Sequence, residues 1–168
     1  MTKALKSIIV LSVIGAALAI VLGGVNAITS PAILEAEREK TAKALSEVYK
    51  TSDVFEKVDI AEISGLPESV TEAYSAADGG YVIKLTTTGY ASGLVILCGI
   101  SADGRVTGAV SIASNETLGY EKTYGEQLIG KNAVSIDNAD TVSGATKTTA
   151  AYRDAVKDAL IAASVIAD

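Results

Sequence analysis

Between Ser7 and Leu34 the chain carries no charged residue, and from Ile8 to Ile28 it is nearly all apolar. Wound as an α-helix at about 1.5 Å per residue, the Ile8–Ile28 run reaches roughly 31 Å, against about 30 Å of bilayer hydrocarbon. A segment of this kind predicts a membrane-spanning helix and leaves the remainder of the chain to build a separate domain. Lys3 and Lys6 precede the run, and Glu35, Glu37, Arg38 and Glu39 follow it. The positive-inside bias then puts the N-terminus in the cytoplasm and the domain on the extracytoplasmic side of a cell membrane. The competing reading is a cleaved secretory signal with Val25-Asn26-Ala27 as its small-residue cleavage site, although the apolar run exceeds a usual signal core. No cysteine follows the run closely enough for a lipoprotein anchor.

Charge is unevenly placed. Removing Lys3 and Lys6 from the 14 basic residues leaves 12 against 20 acidic ones, a formal balance of −8 outside the first six residues. Such a domain is a poor nucleic-acid binder, because affinity for phosphate backbones comes mostly from Lys and Arg. An anionic membrane surface would repel it. Histidine is absent, which removes the commonest general base and metal ligand. A single cysteine, Cys98, can neither close an internal disulfide nor hold an iron–sulfur cluster alone. No catalytic or metal-ligating set is expected, and any redox chemistry must come from a bound organic cofactor or from partner chains.

After Pro31, expected to mark the exit from the anchor, residues 32–50 read as a helix with Ala42, Leu45 and Tyr49 on one face. It is a stalk, the first helix of the domain packed on its sheet, or both. Thr71–Ala76 and Tyr81–Thr88 flank Asp78-Gly79, a strong hairpin signal. Leu94–Ile100 is uncharged and rich in branched side chains, as expected of a strand buried on both faces, with Cys98 a core thiol. Asp103-Gly104 turns it onto Val106–Ser114. Thr148–Ile166 reads as a final helix, with Tyr152, Val156, Leu160 and Ala163 on its apolar side. The expected architecture is α+β: an anchor over 1–30, a linker or stalk helix over 31–52, and one compact domain over 53–168 with an antiparallel-rich sheet packed by helices.

Immediately before that helix stands Asp140-Thr141-Val142-Ser143-Gly144-Ala145-Thr146. Small residues leave the backbone open to close approach. The first turn of a helix offers unpaired N–H groups and the positive end of its dipole, a setting that favours phosphate. The competing reading is a plain loop in which Ser143 caps the helix.

This heptapeptide resembles the flavinylation motif of the FMN-binding domain shared by the G subunit of the Rnf electron-transport complex and the C subunit of the sodium-pumping NADH:quinone reductase. The motif is Asp, two variable residues, Ser or Thr, Gly, Ala, Thr, and every fixed position is met. Three further stretches carry the resemblance, one of them residues 125–131 ahead of the attachment loop. Gly89-Tyr90-Ala91-Ser92-Gly93 precedes the apolar strand, and Glu116-Thr117-Leu118-Gly119 stands where the family has Glu-Thr-Pro-Gly. Leu118 departs from the Pro, and Tyr120-Glu121 replaces the Leu-Gly that follows. The likeness covers roughly residues 70–165, and the anchor by position only.

The resemblance implies an FMN esterified through its phosphate to Thr146. Ser143, Gly144, Ala145, Glu116, Thr117, Leu118, Gly119 and Tyr90 are the accompanying flavin-site residues, with Gly89 and Gly93 secondary. Tyr120 or Tyr124 is a candidate to lie against the flavin ring, and Lys122 or Lys131 to meet its phosphate, with surface roles as the alternative for each. The implied role is an electron-carrier subunit, without independent catalysis, of an ion-translocating ferredoxin:NAD oxidoreductase coupled to Na+ or H+. Its implied partners are the other Rnf subunits, membrane-bound and FMN- or iron–sulfur-bearing, and a separate flavin transferase. Alternatives are a stand-alone membrane-anchored flavoprotein for electron export, a C-type subunit of the quinone reductase, and an assembly module with an unmodified loop.

Overall fold

The computed structural model describes Lys3–Ala167, without the side chains of Lys3, Ala4, Leu5, Leu34 and Glu37. Two compact units divide the chain between Lys40 and Thr41. The described residues of the first are all helical, as part of α1 (Lys3–Val48). No described residue from Lys6 to Thr29 is buried, and side chains such as Leu11, Ile20 and Ile28 stand more than two-thirds exposed. An apolar helix of this length with nothing packed on it has the length and composition of a single membrane span.

Pro31 does not end the helix, contrary to the expectation from sequence: it sits inside α1. Inside a helix, proline removes its own N–H donor and its ring crowds the carbonyl four residues back. Nearby, Thr29 donates its hydroxyl to the carbonyl of Val25 at 2.8 Å and Ser30 to Asn26 Oδ1 at 3.2 Å, folding both polar groups back onto the preceding turn.

The second unit is built on one antiparallel sheet whose strands lie in chain order: β1 (Phe55–Val58), β2 (Val70–Ala76), β3 (Tyr81–Thr88), β4 (Ser92–Ile100) and β5 (Val106–Ala113). The turns are those expected. Gly79 and Gly104 both take the left-handed conformation, and Ser101 N–H closes the second hairpin onto the carbonyl of Arg105 at 2.9 Å. Tyr49 donates its hydroxyl to Asp78 at 2.8 Å, tying the first hairpin to the end of α1.

Strand alternation divides the interior in two. Ile83 and Leu85 of β3, and Ile96, Cys98 and Ile100 of β4, face α2 (Thr146–Ala167), which covers them with Tyr152, Val156, Ala159 and Leu160. Val82 and Leu97 face the other way, under Ala44, Leu45, Val48 and Tyr49. β3 and β4 are therefore buried on both faces, as their apolar cores require. Burial pushes the Cys98 thiol far above its ordinary pKa, which leaves it an inert core group. Of the helix face expected before the domain, Leu45 and Tyr49 are buried but Ala42 is exposed; Thr41 and Ala44 take the inward positions.

Val48 reaches the sheet because Gly99 and Gly108 are register partners that leave a gap in its surface. A Cβ on Gly108 would stand 2.8 Å from both Cα and O of Val48. Thr107 then donates its hydroxyl to that same carbonyl at 2.7 Å. Gly108→Ala is expected to cost about 1–3 kcal/mol by forcing a methyl group against backbone. A urea titration reads this as a lower midpoint at unchanged slope; an unchanged midpoint would show that α1 is not held this closely.

Candidate functional site

Past β5 the chain runs through three short 3-10 helices, Tyr120–Lys122, Tyr124–Leu128 and Ile136–Asn138, before reaching α2. They bring Tyr124, Leu128 and Ile136 into the core under α2. Tyr124 packs edge-on against Tyr152, with ring centroids 5.6 Å apart, and donates its hydroxyl to the main-chain carbonyl of Asp140 at 3.0 Å. That bond anchors the loop before α2 from below.

The loop itself makes a tight turn. Ala145 N–H bonds to the carbonyl of Val142 at 3.0 Å, and Gly144 sits at φ 86° with no neighbour that a Cβ would touch. Glycine is needed there for its left-handed conformation, which a side chain would strain. Thr149 folds back on this turn: its N–H and its hydroxyl both reach the carbonyl of Ala145 at 3.0 Å, and Val142 N–H donates to its Oγ1 at 3.1 Å. Ala145 thus occupies the capping position. Ser143 does not cap the helix, because the turn at Gly144 leaves it two residues too early, on the exposed side.

With alanine at the cap, no side chain there accepts from the first helical amides. The main-chain N–H groups of Thr146, Lys147 and Thr148 find no acceptor among the described residues. Thr146 is exposed, and its hydroxyl makes one contact with the carbonyl of Val142 at 3.5 Å, the outer limit of a hydrogen bond.

A cleft of about 420 Å³ opens in front of this helix end, a volume within the roughly 300–1,000 Å³ range of small-molecule sites. Gly144, Ala145, Thr146, Lys147 and Thr148 form one wall. Glu116, Thr117, Leu118, Tyr120 and Glu121 form the facing wall, and Tyr90 from the β3–β4 turn stands at its edge. Tyr90 and Leu118 are more than three-fifths exposed.

Glu116 holds these three segments together. Its Oε1 accepts the N–H of Ala91 at 3.0 Å and its Oε2 the hydroxyl of Thr148 at 2.5 Å. Gly89 leaves room for that carboxylate, since a Cβ there would stand 2.5 Å from Oε1 and 3.1 Å from Cα of Thr148. Glu116→Ala removes both acceptors. A loss of about 1–3 kcal/mol is expected in a denaturant titration, since the Ala91 N–H and the Thr148 hydroxyl are left without their partner. No measurable loss would mean the two bonds do not bind the walls together.

The structure therefore brings together eight residues singled out from sequence: Tyr90, Glu116, Thr117, Leu118, Tyr120, Gly144, Ala145 and Thr146. Ser143 and Gly119 lie beside the cleft without lining it, Gly119 turning the loop at φ 75°. Tyr120 lines it, whereas Tyr124 is in the core; neither Lys122 nor Lys131 lines it. Sequence reasoning missed Glu121, Lys147 and Thr148. Only Lys147 carried a signal, being a cation in the first turn beyond the motif.

The FMN-binding domain family matches residues 89–161, the span from the β3–β4 turn to the middle of α2. In Acetobacterium woodii, the Na(+)-translocating ferredoxin:NAD(+) oxidoreductase complex has a G subunit that is 32% identical over 156 residues, covering 83% of this chain and 74% of that protein. The chain belongs to this FMN-binding family. It is an FMN-binding domain homologous to the Rnf G subunit, preceded by an apolar helix fit to span a membrane, and an electron-carrying role accords with both. The family match spans all three segments that Glu116 joins.

Proposed function

We propose that this protein is the electron-relay subunit of an Rnf-type complex and that its FMN is carried as a phosphoester on Thr146. The observation that carries this reading is the setting of one hydroxyl: Thr146 is exposed, at the mouth of a cleft, on a helix turn whose amides lack acceptors. A phosphodiester placed there keeps one negative charge. The helix end stabilises such a charge by about 0.3–1 kcal/mol, and the N–H groups of Thr146, Lys147 and Thr148 would hold its oxygens, with the Lys147 ammonium nearby.

Other residues suit the rest of the cofactor. Leu118, Tyr90 and Tyr120 offer apolar and aromatic surface for a flat ring. Gly144 and Ala145 leave the approach to Thr146 clear for a separate flavin transferase. Glu116 keeps the two walls in register by its bonds to Ala91 and Thr148. Bound FMN supplies one-electron redox chemistry that no side chain here can; the protein's part is to hold the ring and leave its edge open to a partner.

In this reading Lys3 and Lys6 remain in the cytoplasm and the domain works on the extracytoplasmic side, among the other subunits of a complex driving Na+ or H+ across the membrane. A covalent link keeps the cofactor where none can be rebound from the cytoplasmic pool. Affinity purification from native membranes tests the assignment. Recovery with membrane and iron–sulfur subunits, and a visible flavin spectrum that bleaches on reduction, is the expected outcome. A colourless protein recovered alone would rule against it.

A further inference from the structure

Among the described residues, two buried side-chain atoms lack any hydrogen-bond partner: Oε2 of Glu121 and the hydroxyl oxygen of Tyr152. Glu121 is only 3% exposed, yet it lines the cleft. A buried carboxyl group without a partner costs several kcal/mol in general, and such groups are found paired. Among the described residues, none donates a hydrogen bond to that oxygen. Glu116 is committed to Ala91 and Thr148, Tyr124 donates to Asp140, and no basic side chain bonds to that oxygen. Tyr152 lies close enough for the two groups to interact electrostatically, but no hydrogen bond joins them; burial first, and Glu121 in part, raise the Tyr152 hydroxyl above its ordinary pKa. A side chain that is buried, unpaired and set in the wall of a ligand cleft implies a donor on the ligand.

We propose that Glu121 is a binding residue for the flavin ring, its carboxylate accepting the ring's imide N–H, and that its charge lowers the reduction potential of the bound cofactor. This rests on the flavin reading of the cleft given above. The imide is the N–H donor that an oxidised flavin presents, so the match is one acceptor to one donor. The electrostatic consequence follows from Coulomb's law: an electron added to the ring meets a negative charge in a poorly solvated cleft.

Redox titration of the flavin-loaded full chain and of its Glu121→Gln variant tests the charge. Glutamine keeps the shape and removes the charge, so the variant's potential is expected to rise by the equivalent of tenfold in the one-electron equilibrium, about 59 mV. An unchanged potential overturns the proposal. Should the variant fail to fold or to take flavin, the native chain decides. Prepared without a transferase, it is expected to bind FMN at least tenfold more tightly than 3-methyl-FMN, which lacks the imide hydrogen; equal binding overturns the proposal. Failure of the native chain to bind any flavin overturns the reading of the cleft as well, whereas a loaded chain with an unmoved potential overturns the role of Glu121 alone.

Discussion

Thr146→Val abolishes covalently held flavin and leaves the domain folded: this is the largest effect expected of any single substitution here. Valine matches threonine in shape and in helix propensity, and the lost hydroxyl makes only a 3.5 Å contact with the Val142 carbonyl. Thr146 is exposed, so the stability change should stay within about 0.5 kcal/mol. The tight turn at Gly144 and the bonds from Thr149 to Ala145, which shape the loop, do not use the Thr146 side chain. Flavin fluorescence of the denatured protein in a gel, beside a thermal melt, separates chemistry from folding. The expected result is a dark band at an unchanged midpoint. Fluorescence that survives in the variant would move the attachment to another residue, and a collapsed melt would give the hydroxyl a structural role.

The second large effect concerns where the domain begins. A chain starting at Thr41 is expected to be water-soluble, folded and able to hold flavin, because every buried residue of both core clusters lies at or beyond Ala44. A chain starting at Ser52 is expected to unfold. It loses Ala44, Leu45, Val48 and Tyr49, which are each less than a tenth exposed and cover Val82 and Leu97 on the outer face of the sheet. Burial of a Leu, Val or aromatic side chain contributes about 1.5–3 kcal/mol, so three of them approach the roughly 5–15 kcal/mol that holds a domain together. Fractionation and circular dichroism of the two truncations give the comparison. A folded Ser52 chain would show that the last turns of α1 are a tether and not part of the core.

That pair of truncations also marks how far the sequence could be read. The meander was legible because Asp78-Gly79 and Asp103-Gly104 punctuate runs whose alternation or uniform apolarity belongs to strands. α2 was legible because Tyr152, Val156 and Leu160 recur at helical spacing. The stalk and packed-helix readings of residues 32–50 stood level, since a short face of Ala and Leu among charges fits both. What packs its last turn on the sheet is the gap at Gly99 and Gly108. A long-range fit of that kind leaves no periodic trace in either segment. Pro31 misled for the opposite reason: its local preference is to end a helix, yet the helical run on both sides of it continues through it.

At the site, the attachment loop was legible through its motif, while its mechanics were not. Ser143 was a natural cap by residue type, but the left-handed turn at Gly144 passes that position to Ala145 and so leaves the first amides open. Glu116 was expected beside a flavin; its position was legible, but not its bonds to Ala91 and Thr148. Glu121 gave no sign of burial, because a charged residue in a loop ordinarily faces solvent. Only the packing of the 3-10 helix Tyr120–Lys122 against α2 and β5 encloses it.

One measurement bears most directly on the central claim, that FMN is bonded to the Thr146 oxygen of a membrane-anchored domain. The full chain, purified from its own membranes, is weighed intact by mass spectrometry and then digested to locate any adduct. An increment equal to FMN less one water, carried by the peptide containing Thr146, is the predicted result. An unmodified mass in a preparation that is visibly yellow would contradict it, leaving the flavin as a dissociable ligand and Thr146 as an ordinary first residue of a helix.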